Sequence, residues 1–501
     1  MKSIFKATAI LSGSSVIRIF LGLVAGKVLA VRLQPAGYGY YGLLQGFLAL
    51  TTLIASFGMA TGLVRLGASA AARNDASTIA NLRSGAWFMF AAMAGIVTVI
   101  LAVFRVTLSR WALGDPNHAG TILLMGVALL FTVAGSIWTG ILNAYHRVQA
   151  LAKSGVITTL LCGCLTIGAV LIWGIHGVVP TIIGGAAIGW AVSWYFLHRE
   201  VASVGLRAGH TDALKAALAL LRFGGPYTAS VLLGTGVQLV LPMIVLHLLD
   251  ANSVGYYKAA SAISVGYLGF LVTAMSQDYY PRTSAAADKP EVLARLINEQ
   301  HRLVMLLAIP MVLGMLALVP IFIPIVYSHK FTPAVEILEW QLIGDIFKFS
   351  SWTMAFAILA RCSSSVYFLT ESIGGVASLL TTWLAVRWFG LSGLGIGFLA
   401  AYIVYYFAVW VIIRREIHLV WTSSNKKMML GAVAAAFVIR ILPSTPFANF
   451  RTAVALLLAV AVGIPSLFMV WKEFLSPKEP RVEDANEKES PATVTTEFRS
   501  S

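Results

Sequence analysis

Gly37–Gly42 reads GYGYYG and lies between two long apolar runs, and Val254–Tyr257, VGYY, lies between two more. Gly39, Tyr40 and Tyr41 align with Gly255, Tyr256 and Tyr257, 216 positions apart. A junction that recurs in this setting suggests two copies of one unit. The second run of each unit is followed by a basic residue and then small ones, LVRLGASAAA in one case and YPRTSAAA in the other.

Composition says where such a unit lives. Of the 501 residues, 58% are hydrophobic and 11% charged, whereas a soluble domain carries about 25% charged residues. Several runs exceed the roughly 20 apolar residues that cross a bilayer. The spacing predicts fourteen spans, near 7–31, 39–64, 86–104, 119–142, 154–173, 178–197, 225–248, 255–278, 303–323, 337–359, 364–386, 393–413, 428–442 and 452–471. Helices are expected, because barrel strands would alternate over about ten residues. The expected fold is an all-α polytopic membrane protein of two pseudo-symmetric six-helix lobes plus two C-terminal helices. Its parts are an N-terminal lobe over 1–200, an amphipathic cytoplasmic linker over 201–224, a C-terminal lobe over 225–415, two extra spans over 416–472 and a disordered cytoplasmic tail over 473–501. Parallel repeats of this kind build transporters.

A net charge of +15 would point to nucleic acid in a soluble protein. Here it follows the rule that basic residues stay on the cytoplasmic side. With the N-terminus in the cytoplasm, 25 of the 36 Lys and Arg fall in cytoplasmic segments and 8 in outer ones. That excess places both termini in the cytoplasm and gives no reason to expect a nucleic-acid partner. Amphipathic stretches at 206–225 and 288–304 read as helices on the membrane surface. Tyr38, Tyr40, Tyr41, Trp111, Trp340 and Trp388 read as an interfacial belt, with stacking on sugars as the alternative. Cys162, Cys164 and Cys362 have no neighbouring metal ligands and read as buried free thiols, so no metal site is expected.

Charges inside spans carry the functional reading, because each costs roughly 2.5–3.5 kcal/mol on insertion scales. Arg18 lies about 16 Å from the cytoplasmic end of the first span, too deep to snorkel easily, whereas Lys27 is within about 6–7 Å of the outer end. Arg18 is therefore expected to face an internal cavity. Arginine suits a diphosphate, since its planar fork offers paired donors. Arg65 and Arg302 extend the list of diphosphate or cavity candidates, although near cytoplasmic ends an ordinary interface charge explains them better than a ligand role. Asp345 and Lys348, in IGDIFKF, share a helix face at i and i+3. They are either a self-neutralising pair or a gating or ion-coupling site. Glu371, about 10 Å into its span, has no local partner and could carry a proton. Asp278 completes the gating or ion-coupling candidates, with the same surface alternative as Arg65.

Several chemistries lack their motifs. The chain contains no G-x-x-x-x-G-K-[ST] for nucleotide phosphates, no HExxH and no GxSxG. The outer loops are short, which disfavours a glycan polymerase or ligase.

The segments RIFLGLVAGKVLAVRLQPAGYGYYGLLQ, VGYYKAASAISVGYLGFLVTAMSQDYYPR and LEWQLIGDIFKFSSW resemble those of the Wzx-type O-antigen and enterobacterial common antigen translocases. These form the polysaccharide-exporter branch of the multidrug/oligosaccharidyl-lipid/polysaccharide superfamily. The resemblance implies two lobes around a central cavity in a bacterial inner membrane. It implies movement of an undecaprenyl-diphosphate-linked oligosaccharide between leaflets by alternating access, without ATP hydrolysis and so without enzymatic chemistry. Arg18 and Lys27 match basic positions of the family, and Asp345 and Lys348 match its acidic-basic pair. The last two spans exceed the twelve of shorter members. In related fourteen-span flippases the extra pair helps form a groove for the lipid tail. No cofactor is expected beyond a proton or sodium gradient. Membrane lipid and a glycan polymerase are the partners in view, and a cation-coupled drug antiporter of the same superfamily is the alternative function.

Overall fold

The computed structural model describes residues 2–201, 210–441 and 448–472, with side chains from residue 21 onward except at scattered positions in 210–230, 265–274 and 448–451. The expected tail over 473–501 and linker residues 202–209 lie outside the described residues. Every regular element among the described residues is helical.

The first helix, α1 (Lys2–Ser56), is two rods joined at Gln34, whose φ of 59° and ψ of 179° leave the helical region. The cause is local. Pro35 drives the residue before it toward extended ψ and is itself well suited to begin a helix. The predicted spans 7–31 and 39–64 leave 32–38 between them, and the helix continues through that stretch apart from the single-residue kink. A second break follows at Phe57 and Gly58, with φ of 38° and 74°. It bends α2 (Met59–Ala72) by 49° from the preceding rod.

The first half continues through α3 (Ala76–Met89), a π-turn (Phe90–Ala94), α4 (Gly95–Val103), α5 (Arg105–Leu113), α6 (Ala119–Ala144), α7 (Val148–Trp173) and α8 (Val178–Glu200). The second comprises α9 (His210–Leu248), α10 (Ala251–Ala274), a π-turn (Met275–Tyr279), α11 (Tyr280–Ala285), α12 (Pro290–Val326), α13 (Ala334–Arg361), α14 (Ser364–Phe389) and α15 (Gly393–Ile417). Two more, α16 (Ser423–Ile441) and α17 (Ala448–Val470), close the described chain. The amphipathic stretches expected as separate surface helices are instead continuous with the spans that follow them, in α9 and α12.

The predicted spans fall on helical chain, although 39–64 crosses the break at Phe57 and Gly58 from α1 into α2, and 86–104 runs through α3, the π-turn and α4. Among the described residues, eight stretches are long and apolar enough to cross a membrane, and nine with the bent α1–α2 pair. Two of these, Val148–Glu200 and Ser364–Ile417, each hold two helices packed on one another. The predicted spans on α10 and α16 do not pass that test. α10 carries Ser, Gly and Tyr with Lys258, and α16 opens on Lys426 and Lys427.

The halves repeat each other in packing as well as order. α8 packs on α6 and α7, and α15 packs correspondingly on α13 and α14. The turns before α8 and α15 match closely. Gly174 and Gly390 have φ/ψ of 56°/−129° and 57°/−129°. Each opens a one-turn 3₁₀ segment (Gly174–Gly177 and Gly390–Ser392). Gly177 and Gly393 then sit against the carbonyls of Ala169 and Ala385, where a Cβ would overlap the backbone. These glycines are again 216 positions apart. Between the halves, α1 packs on α10 and α9, and α2 and α3 pack on α9. α17 lies against α12, and α16 against α12 and α13.

Candidate functional site

The repeated GYY junctions meet. A Cβ on Gly39 would lie 2.8 Å from the Ala251 carbonyl oxygen and from the Gly255 nitrogen, and one on Gly255 would overlap the Pro35 carbonyl. Paired glycines let two helix backbones touch, and here they join the halves at one end of the molecule. The tyrosines beside them are half-buried and pack against neighbouring groups of the protein. Tyr38 stands edge-on to Tyr327 and Phe331, each at 5.6 Å, and Tyr256 contacts Phe331 at 6.1 Å. Tyr40 pairs with Thr121 at 3.2 Å. Trp111 and Trp388, by contrast, are exposed as a belt requires. At the opposite end Gly58 and Gly224 make a second backbone contact, flanked by Phe57 against Gly225 and by Arg65 5.1 Å over the Phe223 ring.

Between these contacts lie three adjoining chambers. The first, about 320 Å³, is lined by Tyr41, Gly42, Gln45, Gln238 and Lys258 among others. The second, about 350 Å³, takes in Gln238, Tyr257, Lys258, Gln341, Lys348 and Tyr402. The third, about 220 Å³, includes Gln238, Trp352, Glu371, Tyr402 and Tyr405. Gln238 lines all three, Lys258 the first two and Tyr402 the last two.

Lys258 was absent from the predicted site, because it sits near the start of its span and counted there among outer-segment charges. Its stem lies across Gly42, where a Cβ would be 2.9–3.1 Å from Cγ, Cδ and Cε. Gly42 is also its counterpart in the repeat, so the absent side chain of one half makes room for the cation of the other. Lys258 has no acidic group within ion-pair distance among the described residues. Its position immediately after the repeated GYY was the available signal.

Lys348 is the opposite case. Its Nζ donates to Asp345 Oδ1 at 3.2 Å, with both side chains buried. Ser264 Oγ donates to Asp345 Oδ2 at 2.8 Å. The ammonium also lies 5.0 Å over the Trp352 ring and 5.6 Å from the Phe398 and Tyr402 rings. Glu371 differs again. It accepts a 2.7 Å hydrogen bond from the Tyr405 hydroxyl and faces the third chamber with no cation at ion-pair distance among the described residues.

The other predicted residues are dispersed. The Arg18 side chain lies outside the described residues, although its backbone belongs to α1. Lys27 is exposed and donates to the Ile325 carbonyl at the end of α12, where unpaired carbonyls and the helix dipole favour a cation. Arg65 stands at the Gly58–Gly224 contact, and Arg302 is half-buried on α12. Asp278 is exposed and accepts from Arg282 at 3.2 Å. Cys164 is exposed, against its reading as a buried thiol. A further missed cluster ties α16 to α13: Arg440 reaches Glu339 at 3.1 Å and Glu336 at 3.3 Å, over the Trp340 ring. Beside α16 runs an apolar groove of about 370 Å³, with Phe347, Tyr406, Trp410, Trp421 and Met429 among its walls.

Two helical halves around a polar cavity with charges of both signs define a membrane transporter. The chain matches the fold of the lipid II flippase MurJ in an inward closed conformation, with a TM-score of 0.73 over 93% of this chain and 100% of that one at 15% identity. An inward-facing multidrug resistance MATE family transporter of the MOP superfamily matches with a TM-score of 0.64 over 84% of this chain and 99% of that one, at 17% identity. In sequence the chain is 22% identical over 416 residues to the lipid III flippase of Escherichia coli K12, covering 81% of this chain and 96% of that protein. Residues 28–336 match the family model described as polysaccharide biosynthesis protein, and the chain belongs to that family.

Proposed function

We propose that the protein moves an undecaprenyl-diphosphate-linked oligosaccharide, an O-antigen or related surface polysaccharide unit, from the cytoplasmic to the periplasmic leaflet of a bacterial inner membrane. Lys258 carries this reading. A half-buried ammonium without a counter-anion is costly unless a ligand supplies one, and Lys258 lies between the halves, where a diphosphate would meet both. Gln45, Gln238, Gln341 and Ser261 offer donors around it, and Tyr41, Tyr257 and Tyr402 offer faces on which sugars stack. Arg18 is the second candidate for the diphosphate.

The glycine contacts at the two ends of the halves are the natural gates for alternating access, with the cavity opening at one end at a time. The apolar groove beside α16 suits part of the lipid tail. Both termini are placed in the cytoplasm by the basic-residue asymmetry, and a glycan polymerase is the class of partner that would consume the moved unit. A named lipid III flippase among the sequence relatives and a named lipid II flippase among the fold relatives support a lipid-linked substrate.

The test is leaflet accessibility in proteoliposomes holding the purified protein and such a lipid-linked oligosaccharide. Movement by the unsubstituted protein, and its loss in Lys258→Ala, would support the reading. No movement with or without an ion gradient, together with efflux of organic cations, would replace it with the drug antiporter.

A further inference from the structure

Among the described residues, the cavity holds two uncompensated groups of opposite sign: Lys258, shared by the first two chambers, and Glu371, in the third. Asp345 and Lys348 cancel each other between them. Among the described residues, nothing else around Glu371 neutralises it. Tyr367 lies one turn before it on α14, and Tyr402 and Tyr405 face it from α15. Trp352 lies opposite on α13, and Gln238 on α9. Tyr280 on α11 reaches this region through Phe356. Glu371 also lines a smaller space of about 170 Å³ with Val272, Phe356, Leu359 and Tyr367. That space leads toward the end of the molecule where α14 begins.

We infer that Glu371 takes up a proton when an anionic head group enters the cavity at Lys258, so that anion binding and protonation are linked. The inference rests on the diphosphate reading above and adds the ion that couples to it. When the cavity is empty, an ionised Glu371 and the Lys258 ammonium offset each other. A diphosphate brings at least two negative charges into a poorly screened space and satisfies Lys258. The remaining carboxylate then faces like charge, which favours its neutral form. A proton from the medium adds to the Glu371 carboxylate, while Tyr405 retains its hydrogen bond to the other oxygen. Asp345 is not equivalent, because its own ammonium holds it. Asp278 is not equivalent either, being exposed and paired with Arg282.

Linkage fixes the sign. If binding takes up a proton, the Kd rises with pH, by up to about tenfold per pH unit for one proton. Glu371→Gln fixes the neutral form. It should bind at least as tightly as the unsubstituted protein at high pH and lose Glu371's share of the pH slope. The probe's own phosphate titration remains common to both proteins. Glu371→Asp should keep the slope and Tyr405→Phe should displace it along the pH axis.

The experiment is the Kd for undecaprenyl diphosphate, measured with the full chain in lipid discs from pH 6 to 9, with and without sodium. The expected result is a steeper slope in the unsubstituted protein than in Glu371→Gln, with binding retained by the variant. Equal slopes, with binding retained by both, would overturn the coupling role and leave the diphosphate reading intact. Dependence on sodium rather than pH would overturn the proton. No binding by the unsubstituted protein would overturn the diphosphate reading and this inference with it.

Discussion

Gly39 and Gly255, the glycines of the two repeated junctions, pack backbone to backbone, with a Gly39 Cβ position only 2.8 Å from the Gly255 nitrogen. The sequence repeat is therefore also a contact. An internal two-fold relation brings equivalent points of the two halves together at one end, and only residues without a side chain allow the approach. Gly255→Val should destabilise this closure by about 1–3 kcal/mol. That is a roughly 5- to 150-fold shift toward the state open at that end. Distances between spin labels on exposed residues beside the junction should widen in the variant. An unchanged distribution would remove the contact from the gating account.

Lys258 and Lys348 should behave oppositely when truncated. Lys258→Ala removes a cation with no partner in the empty cavity, so folding and insertion should be unimpaired. Binding of a lipid diphosphate should weaken by roughly 10- to 150-fold, the range of about 1.5–3 kcal/mol for hydrogen bonds to charged groups. Lys258→Arg should restore most of it. Full affinity in Lys258→Ala would exclude Lys258 as the anchor.

Lys348→Ala leaves Asp345 buried without its ammonium, a change that typically destabilises by about 3–5 kcal/mol. Low yield and a lower melting temperature are expected. Asp345→Leu combined with Lys348→Met should recover most of the stability, because a buried pair replaced by apolar groups is often close to neutral. If the double variant is as unstable as the single one, the pair does more than neutralise itself.

Arg440 should anchor α16. Its removal leaves Glu339, 3% exposed, without this partner. A loss of about 2 kcal/mol is expected, below the figure for a fully buried pair because Arg440 is partly exposed. Thermal unfolding in detergent measures it. Glu336→Ala, at the more exposed of the two acids, should cost less. Equal effects would point to an electrostatic role spread over the cluster.

Much of the architecture was legible, and the failures have physical causes. Span positions follow largely from apolar length, although 39–64 crosses the break at Phe57 and Gly58 and the spans on α10 and α16 are less apolar than the rest. The repeat was legible at GYY. Its second signature, WGIHG at 173–177 against FGLSG at 389–393, is faint in sequence because only two glycines are shared. Those glycines hold the positive φ and the close carbonyl contact that the turn needs. The gap left between the predicted spans 7–31 and 39–64 is wider than the break itself, because one Pro-directed residue at Gln34 suffices. Side-chain destinations were harder. A lysine such as Lys27 can reach a helix end or a cavity, and periodicity does not choose between them. Lys258 was hidden by proximity to a span end, and the space that receives it comes from Gly42, far away in the chain.

The central claim is that the diphosphate rests between the halves at Lys258. A photoreactive undecaprenyl diphosphate, with the reactive group beside the phosphates, tests it most directly when bound to the full chain and mapped by peptide mass spectrometry. The account predicts adducts on residues around Lys258, in the segments 38–49, 233–241 and 257–264, that are lost in Lys258→Ala. Adducts confined to the outer faces of the helices, unchanged by that substitution, would contradict it.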